Sequence, residues 1–250
     1  MELLAFKLVL APLLLVGATL AVRRWGQSIG GLLVGLPLTS GPISLFLALE
    51  RGPEFATQAT SGSLIATAAQ AAFGLAYCRL ARHGSVPAFA GGCAAFAGVA
   101  IPLQYSGWSR GVLFAAALAA VAAALRFSPP ALPERRVPAA PWWDLPARLL
   151  LMVSLVVCVT AIAPGAGPQA SGVIASFPFM GAILTVFAHR MVGPGAAQAA
   201  MRGMVAGLFG FGVFFYVLSL LLPHAARTVG YACAAIAALI MQGLVFHRLR

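Results

Sequence analysis

The residues of this chain best placed to do chemistry lie in Pro37-Leu38-Thr39-Ser40-Gly41-Pro42. Two prolines, two hydroxyls and a glycine interrupt a run, Gly31 to Pro53, that is otherwise apolar enough to cross a bilayer. Each proline removes a backbone donor and clashes with the preceding turn, so a helix should break here. Ser40 or Thr39 can cap a new half-helix, Gly41 lets the backbone turn, and Pro42 suits its first helical position. That arrangement leaves N–H groups and a positive dipole end in the middle of the hydrocarbon, favouring a carboxylate or another anion. Ser44 adds a hydroxyl one turn on. The same hydroxyls can instead satisfy carbonyls freed by the kink.

A second set stands further along: Ser176, Pro178, Gly181 and Thr185, with Ser171 nearby. Arg202, between Ala200-Met201 and Gly203-Met204, either faces a cavity as an anion partner or snorkels to the interface. Glu50 and Arg51 close the first broken segment as a candidate coupling or gating pair, and Gln70 is a polar group in mid-span. The acids are Glu2, Glu50, Glu54, Glu134 and Asp144, none of them deep in a span, which speaks against a buried proton relay. His83, His189, His224 and His247 fall at span ends. No metalloprotease, serine-hydrolase or phosphate-loop motif occurs, so neither an enzyme nor a cofactor or metal is expected.

These residues need elements to hold them, and composition names the class. The chain is 61% hydrophobic and 8% charged with a mean hydropathy of +0.96, too little polar surface to cover a soluble globule of 250 residues. A polytopic all-α membrane protein follows, with the lipid bilayer as its main partner. The formal net charge of +11 is scattered between apolar runs rather than clustered, so it marks topology and not nucleic acid. Cys78, Cys93, Cys158 and Cys233 each sit alone in apolar segments as packing thiols.

Nine spans are read. Leu3 to Val22 is followed, not preceded, by Arg23-Arg24, unlike a cleaved signal. Four spans make a first unit, residues 1–104. A connecting span and a polar linker with Pro129-Pro130 and Trp142-Trp143 make residues 105–147, and four more spans fill 148–250. With the N-terminus outside and the C-terminus cytoplasmic, twelve of the sixteen basic residues lie inside, the bias expected of a cytoplasmic (inner) membrane protein. Arginine in place of lysine almost throughout fits a bacterial source.

Shifted by 141 residues, the chain matches itself: 19 of 94 aligned pairs are identical between 7–100 and 148–241. Roughly one in eleven is expected by chance from this composition. Pro37 pairs with Pro178, Gly52-Pro53 with Gly193-Pro194, Gly62 with Gly203 and His83 with His224. An odd number of spans between the units inverts the second. The expectation is a small secondary transporter or exporter with a midplane site between the second and seventh spans and a small organic anion as substrate. A homodimer is compatible with it. A non-transporting scaffold, using Gly203 to Gly207 for close packing, and an intramembrane lipid enzyme are the alternatives.

Overall fold

The computed structural model describes residues 2–38, 40–129, 141–162 and 167–249. Thr39, most of the polar linker (130–140) and the side chain of Cys158 lie outside the described residues. Everything described is helix and turn. The elements are α1 (Glu2–Trp25), α2 (Gln27–Val34), α3 (Ser40–Glu50), α4 (Pro53–Leu80), α5 (Ser85–Gln104), α6 (Arg110–Phe127), α7 (Asp144–Ile162), α8 (Gly167–Ala175), α9 (Phe179–Met191), α10 (Pro194–Leu221) and α11 (Arg227–Leu249).

Six stretches are long and apolar enough to cross a membrane: α4 with its 3-10 extension to His83, α5, α6, α8 with α9, α10, and α11 to His247. The protein is therefore a multi-pass membrane protein. α4 and α10, 28 residues each, form its centre. Both begin alike, with a glycine at positive φ (Gly52, 88°; Gly193, 125°) that turns the chain, followed by a proline whose missing N–H costs nothing in the first helical turn.

The two central helices run antiparallel. The Gln198 amide donates to the Cys78 carbonyl at 2.9 Å, Gly74 lies against Met201 and Val205, and Gly212 lies against Thr67. Phe73, Tyr77, Met204, Leu208 and Phe215 fill the space between and around them. α5, α6 and α11 cover this centre with one face each and leave Val86, Ile101, Val112, Ile236, Leu239 and Leu244 exposed. Such a belt of bare aliphatic side chains belongs against lipid tails.

One end of the bundle is tied by charge. Asp144, in the first turn of α7, is buried and receives Arg148 Nε at 2.9 Å and Arg23 of α1 at 3.6 Å. The Arg148 guanidinium also lies 4.7 Å from the centre of the Phe187 ring of α9. A buried pair is worth little net but is costly to break, because the survivor keeps its desolvation penalty. Asp144→Ala should lower stability by about 3 kcal/mol, measured by chemical denaturation in detergent; an unchanged midpoint would mean that water reaches Arg148.

Candidate functional site at two opposed helix breaks

The chain breaks where the prolines predict. α2 ends at Val34 and α3 starts at Ser40; α8 ends at Ala175 and α9 starts at Phe179. Through the first break Gly35 N–H donates to Gly31, Leu36 to Leu33, Leu38 to Leu36 and Gly41 to Pro37, the last two at 2.8 Å. Through the second, Ser176 donates to Gly172, Phe177 to Ile174, Phe179 to Phe177 and Ala182 to Pro178, the last two again at 2.8 Å. Every donor and acceptor of the second set lies 141 residues after its counterpart in the first.

The physical cause is the proline. A bond from residue i+2 back to i closes an inverse γ-turn around the residue between, and Pro178, at φ −77° and ψ 52°, has that conformation. The ring fixes φ near this value, so proline enters the turn without strain. The preceding helix tightens into i→i+3 bonds before it ends.

Glycines set how the breaks meet the centre. α2 crosses α10 with Gly31 and Gly35 against the α10 backbone at Ala200, Met204 and Gly207, while Gly203 meets the backbone of Ser28. α8 crosses α4 in the same way: Gly172 lies against Ala59, and Gly62 against Gln169. Again the contacts repeat at the 141-residue offset. A methyl at Gly31, Gly62, Gly172 or Gly203 would overlap a carbonyl oxygen, so only glycine permits these approaches.

The contacts also fix directions. Gly31 of α2 and Gly35 just beyond its end meet successively later residues of α10, so the two run parallel. α10 opposes α4, and α8 follows α4, with residues 169–173 near 59–62 and Phe177 near Phe73. The two broken helices therefore run in opposite directions and cross the centre from opposite ends.

At the middle they touch. Ser40 Oγ donates to the Ala175 carbonyl at 3.3 Å, satisfying an acceptor at the end of α8. Ser40 is the first residue of α3, which puts the cap position at Thr39, outside the described residues. The Gly41 N–H expected to be free is bonded to Pro37, so the first turn of α3 offers less to an anion than the sequence implies. Pro42 takes the third position of α3, where a missing N–H is harmless.

Gly41 leaves room for the Phe214 ring, and Gly181 for Met204 and Val34. Ser176 Oγ donates to Ser63 Oγ at 3.1 Å, Ser44 bonds Tyr231 at 2.9 Å, and Thr185 is buried in the second turn of α9. Pro37, Ser40, Gly41, Ser176, Pro178 and Gly181 are thus brought together at the paired breaks, with Pro42, Ser44 and Thr185 in the turns leading away.

The remaining candidates stand apart. Arg202 Nη1 donates to the Ser128 and Pro129 carbonyls at 3.2 and 3.0 Å, at the end of α6. Arg79 reaches the neighbouring Phe127 carbonyl. Two guanidiniums on the negative end of a helix are well placed electrostatically. Glu50 and Arg51 are exposed, and Arg51 lies over Phe55 at 5.7 Å from the ring centre. Gln70 is buried with its amide nitrogen unpartnered.

One arrangement escapes a reading of the sequence. Tyr77 and His189 are hydrogen-bonded at 3.1 Å inside the bundle, although His189 reads as interfacial. Gln242 of α11, which with Gln70 reads as a buried polar group lining a cavity or bridging helices, is 8% exposed and has neither amide atom partnered; with Leu36 it flanks Gly210, beside the first break. No protein-family model, curated protein or solved structure matches this chain.

Proposed function

We propose that the protein is a small secondary transporter whose two halves are inverted repeats and whose substrate passes between the second and seventh of nine spans. In this reading α2 with α3 and α8 with α9 are the discontinuous spans, α6 connects the halves, and the N-terminus lies outside the cytoplasmic membrane. The observation that carries it is the pair of opposed breaks, which share four turn hydrogen bonds at the 141-residue offset and are joined by Ser40 to Ala175. Inverted repeats with broken helices at the midplane are a common basis for alternating access, since rocking one repeat against the other moves a fixed site between faces. Close glycine crossings alone would serve a scaffold equally, but a scaffold gains nothing from two matched breaks.

The pairing of the helix ends supports the span order. Arg23, Asp144 and Arg148 meet at one end, and the contacts of Arg79 and Arg202 with the end of α6 fall where the same order puts the cytoplasm. Arg227 donates to the Ala48 carbonyl at the end assigned to the outside. A membrane-impermeant thiol reagent applied to intact cells should label Glu54→Cys and spare Arg126→Cys, in a chain with its own cysteines replaced. The reverse pattern would overturn the orientation, and labelling of both would overturn the span count.

A further inference from the structure

Away from the breaks, one cavity of about 420 Å³ opens between the ends of α4, α5, α6 and α8. It is lined by Gln58, Ser61, Gln104, Arg110 and Gln169, with Gly167, Pro168 and Ala170 completing it. In a chain with 8% charged residues, a hollow lined by three carboxamides, a hydroxyl and a guanidinium stands out. Arg110 is its one ionisable lining residue and makes no hydrogen bond or ion pair among the described residues. Glu54, one turn before Gln58 on α4, is exposed and outside the lining. Gln104 Oε1 is buried without a hydrogen-bond partner.

The position of the cavity matters as much as its lining. Ser61 is two residues from Ser63, which holds Ser176 at the second break. Gln169 lies seven residues before Ser176 on the same segment, about 10 Å along a helix. The cavity thus stands directly above the broken turn of the α8–α9 segment. One repeat on from Ser61 is Arg202, at the opposite end of the bundle, and there the guanidinium is clasped to Ser128 and Pro129. The equivalent place on one face holds a hollow, and on the other a side chain tied down.

We infer that this cavity is the outer binding vestibule for a small carboxylate bearing a hydrogen-bond donor, with Arg110 as its cationic partner. The inference rests on the transport reading for its direction, outside to inside, and on the cavity alone for its ligand. A lone guanidinium supplies the bidentate contact that a carboxylate takes best. The glutamine amides supply further donors, and their carbonyl oxygens are of the type that accepts from a hydroxyl or ammonium on the same molecule. The volume lies within the range of small-molecule sites. Among the described residues no acidic side chain lines the cavity to compete with the ligand for Arg110.

The test is a thermal-shift titration of the full chain in detergent with glycolate, lactate and glycine, at constant ionic strength. Glycolamide and lactamide serve as neutral probes of like size. At least one carboxylate should raise the midpoint saturably, the neutral amides should not, and Arg110→Gln should weaken binding at least about tenfold, as expected for loss of a charge-assisted pair. Arg110→Lys should retain part of the affinity, and Arg227→Gln, away from the cavity, should retain all of it. No shift with any carboxylate, equal shifts with the neutral amides, or an Arg110→Gln affinity equal to the parent would each overturn the vestibule. Proteoliposome uptake separates the two readings: Arg110-dependent binding without uptake upholds the site and defeats transport.

Discussion

Gly31→Val and Gly172→Val are each expected to prevent assembly, with a loss above about 4 kcal/mol that places them among the most severe single substitutions. At both positions even a first side-chain carbon would overlap a carbonyl oxygen of the crossing helix, Ala200 in one case and Ala59 in the other. Backbone cannot rotate out of the way as a side-chain tip can. The two variants should fail alike, because the crossings are copies. Gly98→Val and Gly243→Val provide the contrast, since nothing lies within 4 Å of a carbon added there. Fluorescence-detected size exclusion of detergent extracts reads the difference. If Gly172→Val elutes and melts like Gly98→Val, the α8–α4 crossing is misplaced.

The second large effect concerns movement. Pro37→Ala with Gly41→Ala removes the residue that sets the γ-turn and gives the segment two strong helix formers. Residues 34–41 are then free to continue as regular helix, with each N–H returning to i−4. The Gly41 methyl would come within 3.3 Å of the Phe214 ring tip, a contact that a small ring shift relieves. Insertion should therefore survive, while uptake of the carboxylate found by titration falls to the level of empty liposomes. Retained uptake would show that the break is structural punctuation rather than a working part.

The breaks were legible because proline acts locally: one ring removes one donor, whatever surrounds it. The offset of 141 was legible for a similar reason, since Gly-Pro pairs are rare enough to mark a register in a chain rich in alanine and leucine. What each glycine faces was not. Gly31 and Gly62 read as flexible or small, and only assembled helices show that Ala200 and Gln169 lie against them.

Charge was legible only in part. Asp144 follows Trp142-Trp143 and a proline-rich linker, which reads as wet surface, yet α1 and α7 close over it. Arg202 reads either as cavity-facing or as snorkelling to the interface, and the carbonyls at the end of α6 that claim it come from a helix no local pattern could name. The outer hollow was invisible for a further reason. Gln58, Gln104, Arg110 and Gln169 come from four helices, and no spacing along the chain relates them.

The crossing of α2 with α10 also sets an order of events during synthesis. Ala200 is made 169 residues after Gly31, which at about 5–20 residues per second means roughly ten to thirty seconds on the ribosome. Throughout that interval the first break sits in the nascent chain without its crossing helix, and Ser40 without the Ala175 carbonyl. The α4–α8 crossing closes earlier, and α10 must then thread its glycines past α2 and its opposite face past α4. Neither half contains either glycine crossing, so a chain stopped at the linker can pack α5 and α6 on α4 but has neither break seated on its crossing helix. Maturation ends with α10 and the α11 that packs on it rather than proceeding half by half, and quality control would meet this protein late.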